Sequence, residues 1–433
     1  MKVGFFLDNA NYAHFDFSFP GKGNPGIRGT QYMIWTIACF LNSRYSDVET
    51  VLFAPVVDTM PPGQPCLRCQ SEEEALAAAK RLSLDILVFR TRPQPPAFYA
   101  KLGDAGIKCV TWSHNFEDFD QAQAIASSPW IKRNVCVGKQ QYDRLRDHPV
   151  FAKSTWIFNS IDFENYHECS RAPKRHIVCY VGTLYVAKGF HMLAKAWKRV
   201  RQAVPDAELL VLGAGIPNAS GKMGKYGLAS PSYEKRFAPY LLGPDGHWLP
   251  GVRFLGNLGG DEKKRVMAES AVGVANPTGK DETFCIAAIE FQALGVPVVS
   301  ARKNGLLDTV VDGETGLLIS NTRQLASAIV ELLLQPEKAS RLGQKGDRFV
   351  REKFGMDQVC ARWRELLLDV CEDKSPVPTL DCSHLGNQAK WLREWNRRLQ
   401  GRGIRTPSVL FFESAAKTMA KKLLRRSPPA PIS

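Results

Sequence analysis

The 433 residues contain no apolar run approaching the ~20 residues that a membrane-crossing helix requires. A long apolar core and a small-residue cleavage site are also missing from the start, so Met1 to Leu7 reads as a first strand rather than a secretory signal. A cytoplasmic protein is expected. The eleven cysteines are odd in number and scattered rather than arrayed, which fits reduced thiols and excludes a disulfide framework. Cys66 and Cys69 form a single Cys-x-x-Cys without a second pair, so a loop is expected there and no metal site. No aromatic RNA-binding signature or paired zinc-finger spacing accompanies the formal charge of +14, so nucleic acid is not an expected partner. No short fixed period recurs, which excludes a solenoid.

What is present is ordinary globular composition, 44% apolar and 23% charged, in a chain too long for one hydrophobic core. Short apolar runs rich in β-branched or aromatic residues occur at Val3 to Leu7, Thr50 to Phe53, Ile86 to Phe89, Cys109 to Trp112 and Val135 to Val137. Amphipathic stretches such as Gln31 to Asn42 and Glu72 to Leu82 separate them. This alternation predicts a doubly wound α/β domain. The pattern restarts near His176, with strands at Ile177 to Val181, Glu208 to Leu212, Val252 to Phe254, Val272 to Ala275, Val296 to Val299 and Gly316 to Ile319. Helical stretches at His191 to Ala203 and Asp261 to Ser270 fall between these strands, and the segment near Ile161 to Lys174 reads as the linker. Ile216 to Pro250 is a long Gly- and Pro-rich insertion, either functional or a surface decoration.

The chemistry concentrates in Asp281-Glu282-Thr283-Phe284-Cys285-Ile286-Ala287-Ala288-Ile289-Glu290. A helix expected to start near Thr283, after the strand Val272 to Ala275, offers free amides and a positive dipole end to a diphosphate. Glu290 would lie two turns below position 283, placing the two carboxylates roughly 10 Å apart on one side. That separation suits the two hydroxyl-rich ends of a nucleotide sugar. Two glutamates merely complementing a helix dipole would give the same local pattern. Glu290, however, sits among Ala287, Ala288, Ile289, Phe291 and Ala293, where a carboxylate needs a partner.

Glu282, seven residues, Glu290 and then Gly295-Val296-Pro297-Val298-Val299 resembles the signature of the family-four retaining glycosyltransferases, glycosyl transferases group 1. Tyr180-Val181-Gly182-Thr183-Leu184 with Lys188-Gly189, Val211 to Gly215, Val252 to Gly256 and Val311 to Leu318 extend the likeness. It covers Ile177 to Ile319 strongly and the first half more loosely. The resemblance implies a GT-B fold, two doubly wound Rossmann-like domains facing across a cleft. It divides the chain into an acceptor-side domain (1–165), a nucleotide-sugar domain (166–353), a returning helix (354–372) and a basic tail (373–433).

It further implies catalytic roles for His114, Lys188 and Glu282. The donor would be bound by Gly29, Thr30, Gly182, Thr183, Lys188, Gly213, Phe254, Glu282, Thr283, Phe284, Cys285, Ile286 and Glu290. Lys188 would carry the cation on the diphosphate, whose charge grows as it leaves. Members of the family usually pair this lysine with an arginine five residues earlier; here that position is Thr183, with Arg28, Arg302 and Lys303 as candidate substitutes. This departure keeps open a non-catalytic or partner-dependent GT-B protein. The implied reaction moves a sugar from a nucleoside diphosphate to an acceptor hydroxyl with retained configuration. It uses no protein nucleophile, metal or cofactor. The implied acceptor is a saccharide or lipid-linked molecule in polysaccharide, lipopolysaccharide or glycolipid assembly. Gly21, Gly23 and Gly26 do not form a dinucleotide fingerprint, because roughly a dozen residues separate them from the first strand, but an oxidoreductase of two Rossmann-like domains stays open as a second rival.

From Asp373 to Ser433 there are twelve Lys or Arg against four Asp or Glu. Phe411, Phe412, Ala415, Ala416, Met419, Leu423 and Leu424 recur there at helical spacing beside a stripe of Lys417, Lys421 and Arg425. That pattern fits an anionic membrane surface and a peripheral position on its inner face. A helix packed on the body or a disordered basic tail are the alternatives.

Overall fold

The computed structural model describes residues 1–166, 176–218 and 220–426, the last six by backbone only. The first sheet contains β1 (Lys2–Phe6), β2 (Glu49–Ala54), β3 (Cys66–Arg68), β4 (Ile86–Arg90), β5 (Lys108–Ser113), β6 (Ile131–Cys136) and β7 (Ser154–Trp156). Its order is β3-β2-β1-β4-β5-β6-β7, with every neighbour parallel, and Val3 is flanked by Thr50 and Ile86. The second sheet contains β8 (Ile177–Val181), β9 (Glu208–Leu212), β10 (Val252–Gly256), β11 (Val272–Ala275), β12 (Val298–Ala301) and β13 (Gly316–Ile319). These run parallel in the order β10-β9-β8-β11-β12-β13. Parallel strands covered by helices on both faces are buried throughout, which is why they read as continuous apolar runs. In each sheet the order reverses beside the first strand, opening a crevice at the carboxyl ends of β1 and β4, and of β8 and β11.

The edge strands β3 and β7 were not expected from the sequence, and Cys66 opens β3 rather than lying in a loop. Each has three residues, too short for an alternation or an apolar run to register. Strand β6 begins at Ile131, four residues before the apolar run at Val135, because Lys132, Arg133 and Asn134 interrupt its pattern. Strand β12 is displaced two residues from the expected Val296 to Val299. The insertion after β9 is anchored: its helix Pro231–Phe237 buries Tyr233 and Phe237 in the second core. Glu234 accepts from the amides of Tyr226, Leu228 and Ala229 at 2.9, 2.8 and 3.1 Å, which fixes the loop before it.

Of the expected linker, residues 167–174 lie outside the described residues. The helix Met356–Cys371 lies against the first sheet, with the Trp363 ring 4.5 Å from Trp112 and 6.2 Å from Phe5 between centroids. Lys108 Nζ donates to the carbonyls of Val370 and Cys371 at 3.1 and 2.7 Å, holding the end of that helix. The tail is not a disordered segment over its described length. Helices Lys390–Gly401 and Val409–Arg426 follow, and Leu410 is buried in the first-domain core cluster. Leu423, Leu424, Lys421 and Arg425 fall where no side chain is described. Among the described residues no helix is long and apolar enough to cross a membrane.

Candidate active site

A cavity of about 710 Å³ lies between the two sheets, at the crevices that the strand orders create. From the first domain it receives the loop before helix Gly29–Arg44, Arg90 at the end of β4, and His114 just beyond β5. From the second it receives Gly182 to Lys188 after β8, Gly213 to Ile216 after β9, and Asn276 with Asp281 to Glu290 after β11. The first-domain loop closes directly on the second domain, since Gly260 N donates to Asn24 O at 3.1 Å.

Twelve of the expected positions line this cavity together: Gly29, Thr30, His114, Gly182, Thr183, Lys188, Gly213, Glu282, Thr283, Phe284, Cys285 and Ile286; Glu290 makes the thirteenth. Phe254 is the exception. It packs into an aromatic cluster with Trp248 at 4.8 Å and Phe190 at 5.7 Å, away from the cavity. The register of β10 against β9 shifts between Phe254 and Gly256, and the lining passes to Asn257 and Leu258 instead. Asn257 Oδ1 accepts from the Ala214 amide at 2.8 Å, joining the ends of β9 and β10.

The helix carrying Glu290 runs Ile286–Ala293, three residues later than the expected start near Thr283. Glu282 therefore belongs to the loop and Glu290 to the helix's second turn, which corrects the picture of two carboxylates on one helical face. Asp281 adopts a positive φ of 54°, and the backbone reaches the helix in extended form at Cys285. Among the described residues no side chain caps this helix, and Ile286 and Ala287 of its first turn line the cavity, which leaves first-turn amides available to an anion.

Lys188 Nζ lies 2.6 Å from Glu282 Oε2, which also accepts from Asn276 Nδ2 at 2.7 Å. Burial would lower the ammonium's pKa, but the Glu282 carboxylate reverses that effect and holds it raised. Lys188 is thus a fixed cation. Glu290, embedded among apolar residues, finds its partner in Lys263, whose Nζ is 2.7 Å from both carboxylate oxygens; Tyr166 adds a hydroxyl at 3.2 Å. Lys263 was not singled out in the sequence, because it comes from the exposed-looking helix Gly260–Ala268 and 27 positions away.

His114 is buried against Trp112, with ring centroids 4.8 Å apart. Burial, aided by the Arg90 guanidinium, pushes its pKa down to about 3, so the imidazole is neutral at physiological pH. Among the described residues its Nε2 has no partner, although it is buried and the residue lines the cavity. An unsatisfied ring nitrogen there is placed to meet a ligand hydroxyl. Of the candidate substitutes for the arginine missing at Thr183, only Arg28 reaches the lining, joined by Arg90. Arg302 instead pairs with Asp312 and donates to Leu318 O at 3.1 Å.

Gly213 adopts φ of +136°, and a Cβ there would sit 2.2 Å from the Gly182 carbonyl oxygen. This close approach keeps two strand ends open to a ligand, a role only glycine can fill.

Two parallel-sheet domains enclosing a cleft in this way define the GT-B fold. Residues 175–335, in the second domain of this GT-B chain, match the model of the family Glycosyl transferases group 1. Among its relatives, a GDP-mannose-dependent alpha-mannosyltransferase of Corynebacterium glutamicum is 27% identical over 274 residues, 59% of this chain and 58% of that protein. A D-inositol 3-phosphate glycosyltransferase of Corynebacterium kroppenstedtii is 32% identical over 170 residues, 39% of this chain and 35% of its own length. The chain thus spans between a third and three-fifths of these two relatives. Among solved structures, sucrose-phosphate synthase from Thermosynechococcus elongatus superposes with a TM-score of 0.63 at 18% identity, over 86% of this chain and 99% of that one. Anabaena HepE in complex with UDP gives 0.60 at 14% identity, over 85% and 100%. At these identities the two structures bear on fold alone.

Proposed function

We propose that this chain is a retaining glycosyltransferase that moves a sugar from a nucleoside-diphosphate sugar to an acceptor hydroxyl. The observation that carries the reading is the convergence of Lys188, the uncapped helix Ile286–Ala293 and the unpartnered His114 Nε2 on one interdomain cavity. The diphosphate binds between Lys188 and the helix amides, where charge developing on the leaving group meets donors already in place. His114, neutral, hydrogen-bonds the sugar. Glu282 orients Lys188 and accepts from sugar hydroxyls, and Glu290 serves the ribose end with its charge balanced by Lys263. The leaving phosphate itself helps deprotonate the acceptor on the same face, so no protein nucleophile or metal is assigned.

Thr183 does not leave the diphosphate side short of positive charge. Arg28 and Arg90 line the same cavity as Lys188, which favours a working enzyme over a non-catalytic relative. The names of the relatives make GDP-mannose the first donor to try and an inositol- or lipid-borne hydroxyl the first acceptor, in glycolipid assembly. A thermal-shift screen against GDP-, UDP-, ADP- and TDP-sugars tests the reading, since a ligand that binds only the native state raises its melting temperature. The expected result is stabilisation by one class of nucleotide sugar. Stabilisation by a nicotinamide dinucleotide and by none of these would overturn it.

A further inference from the structure

The helix Lys390–Gly401 is inside out. On a surface helix of a globular protein the apolar stripe faces the core and the charged stripe faces water. Here Lys390, Arg393, Glu394 and Asn396 are buried against the first domain. Trp391 and Trp395 are instead 59% and 58% exposed. Spacings of four, three and four residues place Trp391, Trp395, Arg398 and Arg402 on one helical face. The inward polar side is well matched. Lys390 Nζ meets Asp143 at 2.8 Å, Arg146 meets Glu394 at 3.4 Å, and Asn396 Nδ2 donates to Asp147 at 2.9 Å. The helix is therefore fixed in this orientation by its ions, and the indoles cannot rotate inward without breaking them.

We propose that the Trp391–Trp395 face is a docking surface for the interfacial layer of an anionic bilayer. Indole rings settle at the headgroup level, where one edge is apolar and the N–H is wet. The charge around them is of one sign: residues 390–426 hold eleven Lys or Arg against Glu394 and Glu413, and both of those glutamates are occupied in ion pairs. Arg398, Arg402 and Arg405 are exposed, the first two in helical register with the tryptophans. Such a basic, aromatic surface complements phosphate headgroups. The next helix extends the same character, because Phe412 and Met419 are exposed and every residue from Ala415 to Ala420 is uncovered by the body. This surface is separate from the donor cavity, so its test reads vesicle binding rather than sugar transfer.

The experiment is co-sedimentation of the full chain with phosphatidylcholine vesicles, with and without phosphatidylglycerol. Binding is expected only with the anionic lipid, falling as salt rises. Trp391→Ser with Trp395→Ser should weaken it roughly tenfold or more through lost apolar burial, with an unchanged melting temperature because both side chains face solvent. Arg402→Gln with Arg405→Gln should weaken it and flatten its salt dependence. Full binding by the double tryptophan variant, equal binding to neutral vesicles, or no sedimentation of the wild type would overturn the proposal. So would a dimer that forms without lipid and is lost in the tryptophan variant, since the face would then be covered by a second copy.

Discussion

Thr283 donates its hydroxyl to the main-chain carbonyl of His114 at 2.7 Å, and both residues are buried. One bond thereby registers the loop that leads into the donor helix against the end of β5 in the opposite domain. The position of His114 relative to Lys188 and Glu282 follows from it. Thr283→Val keeps the shape and removes the donor, leaving a buried carbonyl unpaired. A loss of about 1–3 kcal/mol in stability is expected, measured by denaturant unfolding. Thr283→Ser should retain most of the stability, and kcat/KM should follow the same order.

The Lys263–Glu290 pair is nearly closed to solvent, so each partner depends on the other. Lys263→Met leaves an uncompensated carboxylate among apolar residues, and Glu290→Gln leaves the ammonium with a neutral amide. Removing one partner of a buried pair costs about 3–5 kcal/mol. The double variant should lose clearly less than the sum of the two single losses, as a double-mutant cycle would measure. Equal and additive losses would show that the pair does not act as a unit.

His114 gives the acid limb of stability a defined sign. Its pKa is about 3 in the folded chain, against 6.5 for the free side chain. Between those values the unfolded chain holds a proton that the folded chain does not, so stability rises with pH across that window and is lost as pH falls. One such proton gives a slope of up to about 1.4 kcal/mol per pH unit. His114→Asn should lower the pH dependence of the unfolding free energy, measured by urea denaturation below pH 6.5, by that increment. An unchanged slope would mean that the imidazole is not held neutral.

Much of this molecule was legible in the sequence, for reasons that differ from part to part. The central strands β1, β4, β8, β9 and β11 are buried on both faces, so their apolar runs announce them. The short edges β3 and β7 carry no such run. The residues near Glu282 and Lys188 could be read through their order along the chain, because the strand ends they follow were visible. The partnership of Glu290 with Lys263 was not, since nothing in a helix of mixed charge marks which lysine turns inward. Phe254 was misplaced because it packs with Trp248 and Phe190 in the second core, while the lining beyond β10 comes from Asn257 and Leu258, and local sequence does not mark that change. The inverted helix Lys390–Gly401 escaped for the opposite reason: its amphipathic pattern is plain, but which face meets the body depends on Asp143 and Asp147, more than two hundred residues earlier.

Whether Lys188 stabilises a departing nucleoside diphosphate is read from the release of that diphosphate from the stabilising nucleotide sugar. Wild-type chain and Lys188→Ala should be compared at saturating donor, with and without acceptor. Removing one preorganised donor to developing charge costs about 10²–10³ in kcat. A loss of that size is expected in the variant, with the melting temperature monitored to separate it from unfolding. Equal rates of release from the two proteins, each folded and donor-bound, would contradict it.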